Sequence, residues 1–263
     1  MIDRLRPFFG FYGYTPPEYG YELFSPTHLG VLGIMGMLVF ALCRLYGRLG
    51  GADRLFMAKI VAVGLVLQEI VRQSAVALFY PDRWQYYVAL PLHLCSMMLL
   101  VGLVHAFFRN KYTGDILYGL GLPGFFVALL FPDWAALPLL SFFAINSYLS
   151  HSIQAAFVLM MLYAGDIRPN PKNVRYCYGF LVLVVPPIYV LNTLMGRNYL
   201  YINMGLPGSP LEILTNAFGN PGFLVPYTIL VFLVVYLMFL PYAYLARQVQ
   251  KNRATDSDVS PHA

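Results

Sequence analysis

Residues 26–46 read PTHLGVLGIMGMLVFALCRLY, and Arg44 is the single Lys, Arg, Asp or Glu residue among them. At 1.5 Å per residue, a helix of this length is about 31 Å long, which matches the hydrocarbon core of a bilayer. Ser25 fits the N-cap position of the helix, and Pro26 fits its first turn. The stretch therefore predicts a helix that spans a membrane.

Six further apolar stretches follow, and short polar joints separate most of them. The sequence predicts helices over residues 56–79, 86–108, 114–131, 139–163, 174–195 and 223–245. The chain of 263 residues is 59% hydrophobic and only 11% charged, which excludes an ordinary soluble domain. The predicted fold class is all-α: a polytopic membrane protein built as a seven-transmembrane-helix bundle.

The distribution of basic residues predicts the orientation, because cytoplasmic loops of membrane proteins are enriched in Lys and Arg. Twelve of the 17 basic residues fall at the first, third and fifth joints and in the C-terminal tail: Arg44, Arg48, Arg54, Lys59, Arg109, Lys111, Arg168, Lys172, Arg175, Arg247, Lys251 and Arg253. The N-terminal segment and the even joints hold Arg4, Arg6, Arg83 and Arg197. The N-terminus is therefore predicted outside and the C-terminus in the cytoplasm, with the chain in the cell membrane.

The chain divides into three parts. Residues 1–25 form an outer N-terminal segment rich in Tyr and Pro, residues 26–246 form the membrane domain, and residues 247–263 form a cytoplasmic tail predicted to be disordered. Residues 197–222 are a long outer loop rich in Asn, Gly and Pro, and loops of this length often act as lids. The basic loops are too short to form the patch that a nucleic acid needs, so a nucleic-acid partner is not expected.

Polar side chains inside membrane helices are costly and usually face the interior of the bundle, so they mark where function lies. They occur on the second helix (Gln68, Glu69, Arg72, Gln73), the third (His93, Cys95, Ser96), the fifth (Asn146, Ser147, Ser150, His151, Gln154) and the sixth (Asn192). On the second and fifth helices their spacing predicts a single stripe. Cys95 falls about 14 Å and His151 about 18 Å below the outer helix ends. The pattern predicts a cavity that opens toward the outer leaflet.

The thiol of Cys95 becomes a nucleophile when a base removes its proton. His93 is a poor base, because two residues along a helix turn the side chains about 200° apart. His151 is the better candidate, and Glu69 or Asn146 can orient its ring. Arg72 can stabilise a developing oxyanion or hold a lipid phosphate.

Each of these residues also has a structural interpretation. Asn, Ser and Gln side chains often join membrane helices by hydrogen bonds. A lone Cys inside a membrane helix packs as a small apolar residue. Glu69 and Arg72, at spacing i, i+3, can simply neutralise each other. The residues alone leave these alternatives open.

Three short motifs carry a family resemblance: Leu90-Pro91-Leu92-His93-Leu94-Cys95, the segment around His151, and Asn198-Tyr199-Leu200-Tyr201. Together they resemble the YwaF-type bacterial integral membrane proteins, which are related to transmembrane protein 164, and the resemblance covers about residues 20–245. It implies Cys-dependent phospholipid acyl transfer, with Cys95 as nucleophile and His151 as base. An acidic residue expected soon after the Cys is replaced here by Ser96 and Met97, so no role that needs that carboxylate is carried over.

The leading hypothesis is an integral membrane acyltransferase or hydrolase that acts on membrane phospholipid or fatty acyl chains, with no cofactor and no metal. The predicted supporting residues are Glu69, Arg72, His93, Asn146, Ser150 and Asn192. One alternative is a transporter or channel that uses the same polar cluster. The other is a seven-helix sensor without chemistry. The sequence does not predict an oligomeric state.

Overall fold

A computed structural model describes residues 8–11, 15–81 and 91–258, and in these residues the chain is all-helical, as predicted. The helices are α1 (Pro26–Arg48), α2 (Gly51–Phe79), α3 (Leu94–Phe108), α4 (Lys111–Ile116 and Leu122–Leu130, joined by the π turn Leu117–Gly121), α5 (Phe142–Tyr163), α6 (Val174–Met195), α7 (Pro210–Phe218) and α8 (Leu224–Asp258). Short 3-10 turns lie at Asp133–Ala136 and Tyr199–Tyr201.

Several of these helices have the length and composition of membrane spans. Four segments qualify within the described residues: Pro26–Arg48, Lys111–Ala136, Pro171–Met195 and Leu224–Tyr244. The helix α3 is apolar but only 15 residues long. The helices α2 and α5, with 29 and 22 residues, carry the predicted polar stripes. These helices indicate that the chain is a membrane protein. The number of spans, seven, stays a prediction.

The start of α3 differs from the prediction. Residues 82–90 lie outside the described residues, but residues 91–93 are not helical, and His93 is the N-cap of α3 with an extended backbone (φ −69°, ψ 146°). Pro91 accounts for this, because proline lacks an N–H donor and disfavours helix in the residue before it. Cys95 therefore lies in the first turn of α3. The predicted continuous helix over residues 86–108 was wrong, so the helical spacing that was expected to turn His93 away from Cys95 does not apply.

The connections after α6 are more ordered than the sequence suggests. The long loop, residues 197–222, contains the turn Tyr199–Tyr201 and the whole of α7. The last helix continues to Asp258, so residues 247–258, assigned to the tail, are helical. Arg4, Arg6, Arg83 and residues 259–263 lie outside the described residues.

The helix α5 lies at the centre and packs against α1, α2 and α4. One cluster of buried side chains, including Met98, Phe125 and Phe157, fills the middle of the bundle. A second cluster, including Trp134 and Tyr148, lies where α5 begins. The two clusters fix α5 along its length, and α5 carries His151.

A polar cluster closes the opposite end of the bundle, where α5 ends. Asp166 accepts a hydrogen bond of 2.6 Å from the Tyr46 hydroxyl. Its carboxylate also pairs with Arg109 at 3.5 Å and with Arg54 at 3.9 Å. These contacts join the ends of α1, α2, α3 and α5, so they stabilise the bundle away from the candidate site.

Candidate functional site

Predicted site residues from separate helices form one electrostatic group near the start of α3. His93 lies within electrostatic reach of Arg72 and His151, and His151 within reach of Glu69. Cys95 joins the group through Asp133, whose carboxylate also acts on both histidines. The helices α2, α3 and α5 and the turn Asp133–Ala136 therefore contribute charged and polar groups to one region, but among the described residues no hydrogen bond joins Cys95 to His151.

The ring of His151 is fixed by two neighbours. Its Nδ1 lies 2.8 Å from the backbone carbonyl oxygen of Ser147. Since a carbonyl only accepts hydrogen bonds, Nδ1 carries a proton, and Nε2 of the neutral ring is the atom that can accept one. Trp134 stacks on the imidazole, with ring centroids 4.9 Å apart and planes 24° apart. The ring of His151 is therefore oriented by Ser147 and Trp134, and not by Glu69 or Asn146 as predicted.

Tyr201 connects the long loop to the site. Its hydroxyl donates a hydrogen bond of 3.1 Å to Oδ2 of Asp133. Burial, and then the Asp133 carboxylate, raise the pKa of Tyr201 above its ordinary value, so the phenol stays protonated and remains the donor. Tyr201 also lies within electrostatic reach of Cys95. The loop therefore contributes directly to the surroundings of the thiol.

Aromatic contacts place the long loop over the start of α3. The ring of His93 contacts Tyr199 edge-on, with centroids 5.2 Å apart, and Tyr201 at 5.5 Å. Leu94 and Met97 of α3 pack with the buried cluster that contains Tyr199 and Leu200. The loop therefore packs against residues on both sides of Cys95, whereas Cys95 itself packs against the central cluster and is partly exposed.

The loop backbone is strained at this contact. Leu200 and Tyr201 have φ values of 61° and 53°, in the left-handed region that bulky side chains rarely adopt. Asn192 holds the turn, because its side chain bonds both the N–H and the carbonyl of Tyr199 at 2.9 Å. The hydroxyl of Tyr227 donates to the carbonyl of Leu200 at 2.9 Å. The predicted site residue Asn192 thus supports the loop.

Glu69 and Arg72 form the predicted i, i+3 pair on α2. Arg72 donates two hydrogen bonds to the Glu69 carboxylate, at 2.8 and 2.7 Å. Gln73 donates a third at 2.7 Å. This two-point geometry holds the guanidinium in one orientation. The pair therefore presents fixed charges to His151.

Two other predicted residues lie elsewhere. The Ser150 hydroxyl accepts a hydrogen bond of 3.3 Å from Gln154 within α5. The backbone carbonyl of Asn146 accepts one of 3.0 Å from Gln68 of α2, and its side chain lines a groove between α2 and α5. These contacts connect residues within α5 and across α2 and α5, as the structural interpretation of such residues expects.

The best-defined cavities do not coincide with the predicted outward-open one. One of about 10 Å³ lies in the core beside Gln154, and one of about 320 Å³ is the groove beside Asn146. Neither is lined by Cys95 or His151. Among the described residues, no three His, Cys, Asp or Glu side chains are grouped closely enough to hold a metal ion.

Sequence reasoning missed Asp133, Trp134 and Tyr201 as site residues. All three lie in connections between the predicted spans, where a polar residue carries no membrane cost that would mark it. One signal was present: the run Pro132-Asp133-Trp134 places a carboxylate and a large ring directly before α5. Tyr201 belongs to the motif Asn198-Tyr199-Leu200-Tyr201, but nothing in the sequence indicates that it reaches Asp133.

The chain has apolar helices and a group of polar residues next to a folded loop. These features are typical of helical membrane proteins with a site among their helices. Within that class, the chain belongs to the TMEM164 family, whose sequence model matches residues 23–240. Neither the curated proteins nor the solved structures contain a protein that matches the chain significantly.

Proposed function

We propose that the chain is an integral membrane lipid acyltransferase or hydrolase in which Cys95 is the nucleophile and His151 the base. The proposal rests mainly on the contacts of His151. Its Nδ1–H donates a hydrogen bond to the Ser147 carbonyl and its ring stacks on Trp134, so Nε2 is the atom that can accept a proton. The Asp133 carboxylate lies within electrostatic reach of this imidazole, where its charge favours a protonated ring. The motif resemblance to transmembrane protein 164 points to the same two residues.

The reaction consists of two balanced half-reactions. In the first, the Cys95 thiol gives its proton to His151 Nε2 while the sulfur attacks the ester carbonyl of a phospholipid. The intermediate expels the lysophospholipid alkoxide, which takes that proton, and the acyl group remains on Cys95 as a thioester. In the second, a lipid hydroxyl or water gives its proton to His151 and attacks the thioester. The departing thiolate then takes the proton back.

The charged neighbours support these steps. The Asp133 carboxylate stabilises the imidazolium that forms when His151 accepts a proton. Arg72, oriented by Glu69, supplies positive charge for the oxyanion or for a lipid phosphate. His93, between Tyr199 and Tyr201, lines the side of the site nearest the loop. No cofactor and no metal take part in the scheme.

Leu94 and Met97, on either side of Cys95, pack against the long loop. We assign this loop the role of a lid whose latch is the hydrogen bond between Tyr201 and Asp133. In the proposed topology the chain crosses the cell membrane seven times, with the N-terminus and the lid outside. Residues 247–263 then lie in the cytoplasm, and the substrates are phospholipids or fatty acyl chains.

A turnover assay tests the proposal. The purified full-length protein is mixed with a phosphatidylcholine bearing an isotope-labelled acyl chain and with an unlabelled lysophospholipid, and acyl transfer and fatty-acid release are followed by mass spectrometry. Cys95→Ala and His151→Gln should abolish both products, and Cys43→Ala, in α1, should leave them unchanged. Equal turnover by Cys95→Ala would end the proposal.

The network of Glu69, Arg72 and Gln73 favours one competing function, a transporter, because a paired charge within a membrane helix also marks a polar pathway. Liposome flux measurements separate the two. Solute or proton flux that survives Cys95→Ala and fails in Arg72→Ala would assign the chain to the transporters.

A further inference from the structure

A groove of about 320 Å³ lies between α2 and α5, apart from the candidate site. Its apolar wall is formed by Val71 of α2, by Phe8 of the N-terminal segment, and by Phe142, Ile145, Leu149 and Ile153 of α5. At about 100° per residue, this face of α5 points nearly opposite to His151. The groove therefore does not belong to the Cys95 and His151 site.

The shape of the groove fits a lipid chain. From Phe142 to Ile153 the lining follows α5 for about 16 Å, parallel to the direction in which acyl chains run in a bilayer. It opens among side chains that face the hydrocarbon, since Val71 is 55% exposed and its neighbours Leu67 and Ile70 are also exposed. An apolar cavity of about half this volume excludes water and takes apolar guests. An elongated apolar guest is therefore favoured over water.

Two polar residues, Gln68 and Asn146, line the groove, and Asn146 marks its end near the start of α5. Asn146 is 93% buried, having 7% relative exposure, and its side chain lines the groove near the start of α5. Its backbone carbonyl accepts a hydrogen bond from Gln68, and among the described residues its carboxamide is not one of the enclosed polar groups without a partner, so the amide is open to a ligand in the groove. A largely buried amide gains from a hydrogen bond, so a ligand that accepts its N–H is stabilised there.

We infer that this groove is a binding site for one acyl chain of a membrane glycerolipid, with the ester carbonyl at Asn146. Asn146 lies about 6 Å along α5 from Phe142, near the boundary where the ester groups of a leaflet lie. The chain then runs from Asn146 past Leu149 to Ile153. The site needs neither Cys95 nor turnover, so it stands or falls independently of the proposed function.

Photocrosslinking in vesicles tests the site. The full-length protein is reconstituted with phosphatidylcholine that carries a diazirine on one acyl chain, irradiated, and mapped by peptide mass spectrometry. Peptides containing Val71 and residues 145–153 should be labelled at least fivefold more than the peptide containing Val182 and Leu183, which are 66% and 74% exposed on α6. Equal labelling of both regions would mean that only bulk lipid contacts the groove, and would overturn the inference.

Matched variants sharpen the outcome. Leu149→Trp fills the groove and should reduce its labelling at least fivefold, whereas Leu183→Trp, on an exposed face, should not. Asn146→Leu keeps the shape but removes the amide, and should also lower the labelling. If Leu149→Trp proves poorly folded in a thermal melt, Ile153→Phe serves instead. Labelling that persists in every folded groove variant would contradict the assignment.

Discussion

The hydroxyl of Tyr201 donates a hydrogen bond to the carboxylate of Asp133 across 3.1 Å. This bond joins the long loop to the turn that precedes α5, two connections far apart in the sequence. The same carboxylate lies within electrostatic reach of Cys95, His93 and His151. Movement of the loop would therefore alter the charge environment of the thiol as well as its access.

Tyr201→Phe should open the lid more often. It removes one hydrogen bond worth about 1 kcal/mol, which corresponds to about a fivefold larger open population. The rate at which a water-soluble maleimide labels Cys95 should rise by about this factor, read at the Cys95 peptide by mass spectrometry.

The control for the lid is Tyr163→Phe, because Tyr163 is 59% exposed at the far end of α5. Its labelling rate at Cys95 should equal that of the unmodified chain. An unchanged rate in Tyr201→Phe would show that the hydrogen bond to Asp133 does not limit access to the thiol.

The indole of Trp134 stacks on the imidazole of His151 and is expected to hold it in position. Trp134→Leu removes the stacked ring and should lower kcat for acyl transfer about tenfold with little change in KM, because the base is no longer held in the reactive geometry. Trp134→Phe keeps an aromatic face and should stay within about threefold of the unmodified rate. Parallel thermal melts identify any loss that comes from unfolding. If both variants lose kcat equally, stacking is not what positions the imidazole.

Asn192→Leu should loosen the strained turn at Tyr199–Tyr201. It leaves the buried N–H and carbonyl of Tyr199 unpaired, each at a cost of about 1–3 kcal/mol. Hydrogen exchange in residues 197–203 should accelerate, and the Tm should fall. Thr193→Val is the neighbouring control, because the exposed hydroxyl of Thr193 bonds only Tyr189 in its own helix. Equal exchange in both variants would contradict the supporting role of Asn192.

Asp166→Asn should destabilise the end of the bundle opposite the site. It removes the charge that pairs with Arg54 and Arg109, and it weakens the hydrogen bond from Tyr46, with an expected loss of about 1–3 kcal/mol. Thermal unfolding in detergent measures the change. Asp53→Asn, exposed in the first turn of α2, should leave the Tm unchanged, and a similar Tm for both variants would refute the stabilising role of Asp166.

Local signals in the sequence predicted much of the helical framework. Ser25 and Pro26 predicted the start of α1, and Ser25 indeed accepts a hydrogen bond from the N–H of His28. The start of α3 was missed because apolar composition alone continued the helix upstream through Pro91. Apolar composition predicts which stretches can lie in a membrane. The ends of a helix depend instead on backbone geometry around particular residues, such as Pro91.

The site was predicted less well than the framework. Asn146 and His151 were read as one stripe, but five residues along a helix turn the two side chains about 140° apart. They therefore contact different neighbours, a groove and Trp134 respectively. Asp133 and Tyr201 were missed because contacts between loops distant in sequence leave no periodic pattern to detect.

Trapping an acyl group on Cys95 tests directly whether this residue is the nucleophile. The full-length protein is incubated with a phosphatidylcholine bearing an alkyne-tagged acyl chain, quenched in acid, and digested for mass spectrometry. We predict a hydroxylamine-sensitive thioester on the Cys95 peptide that is lost in Cys95→Ala and strongly reduced in His151→Gln. A Cys95 peptide that stays unmodified while labelled lipid is turned over would contradict it.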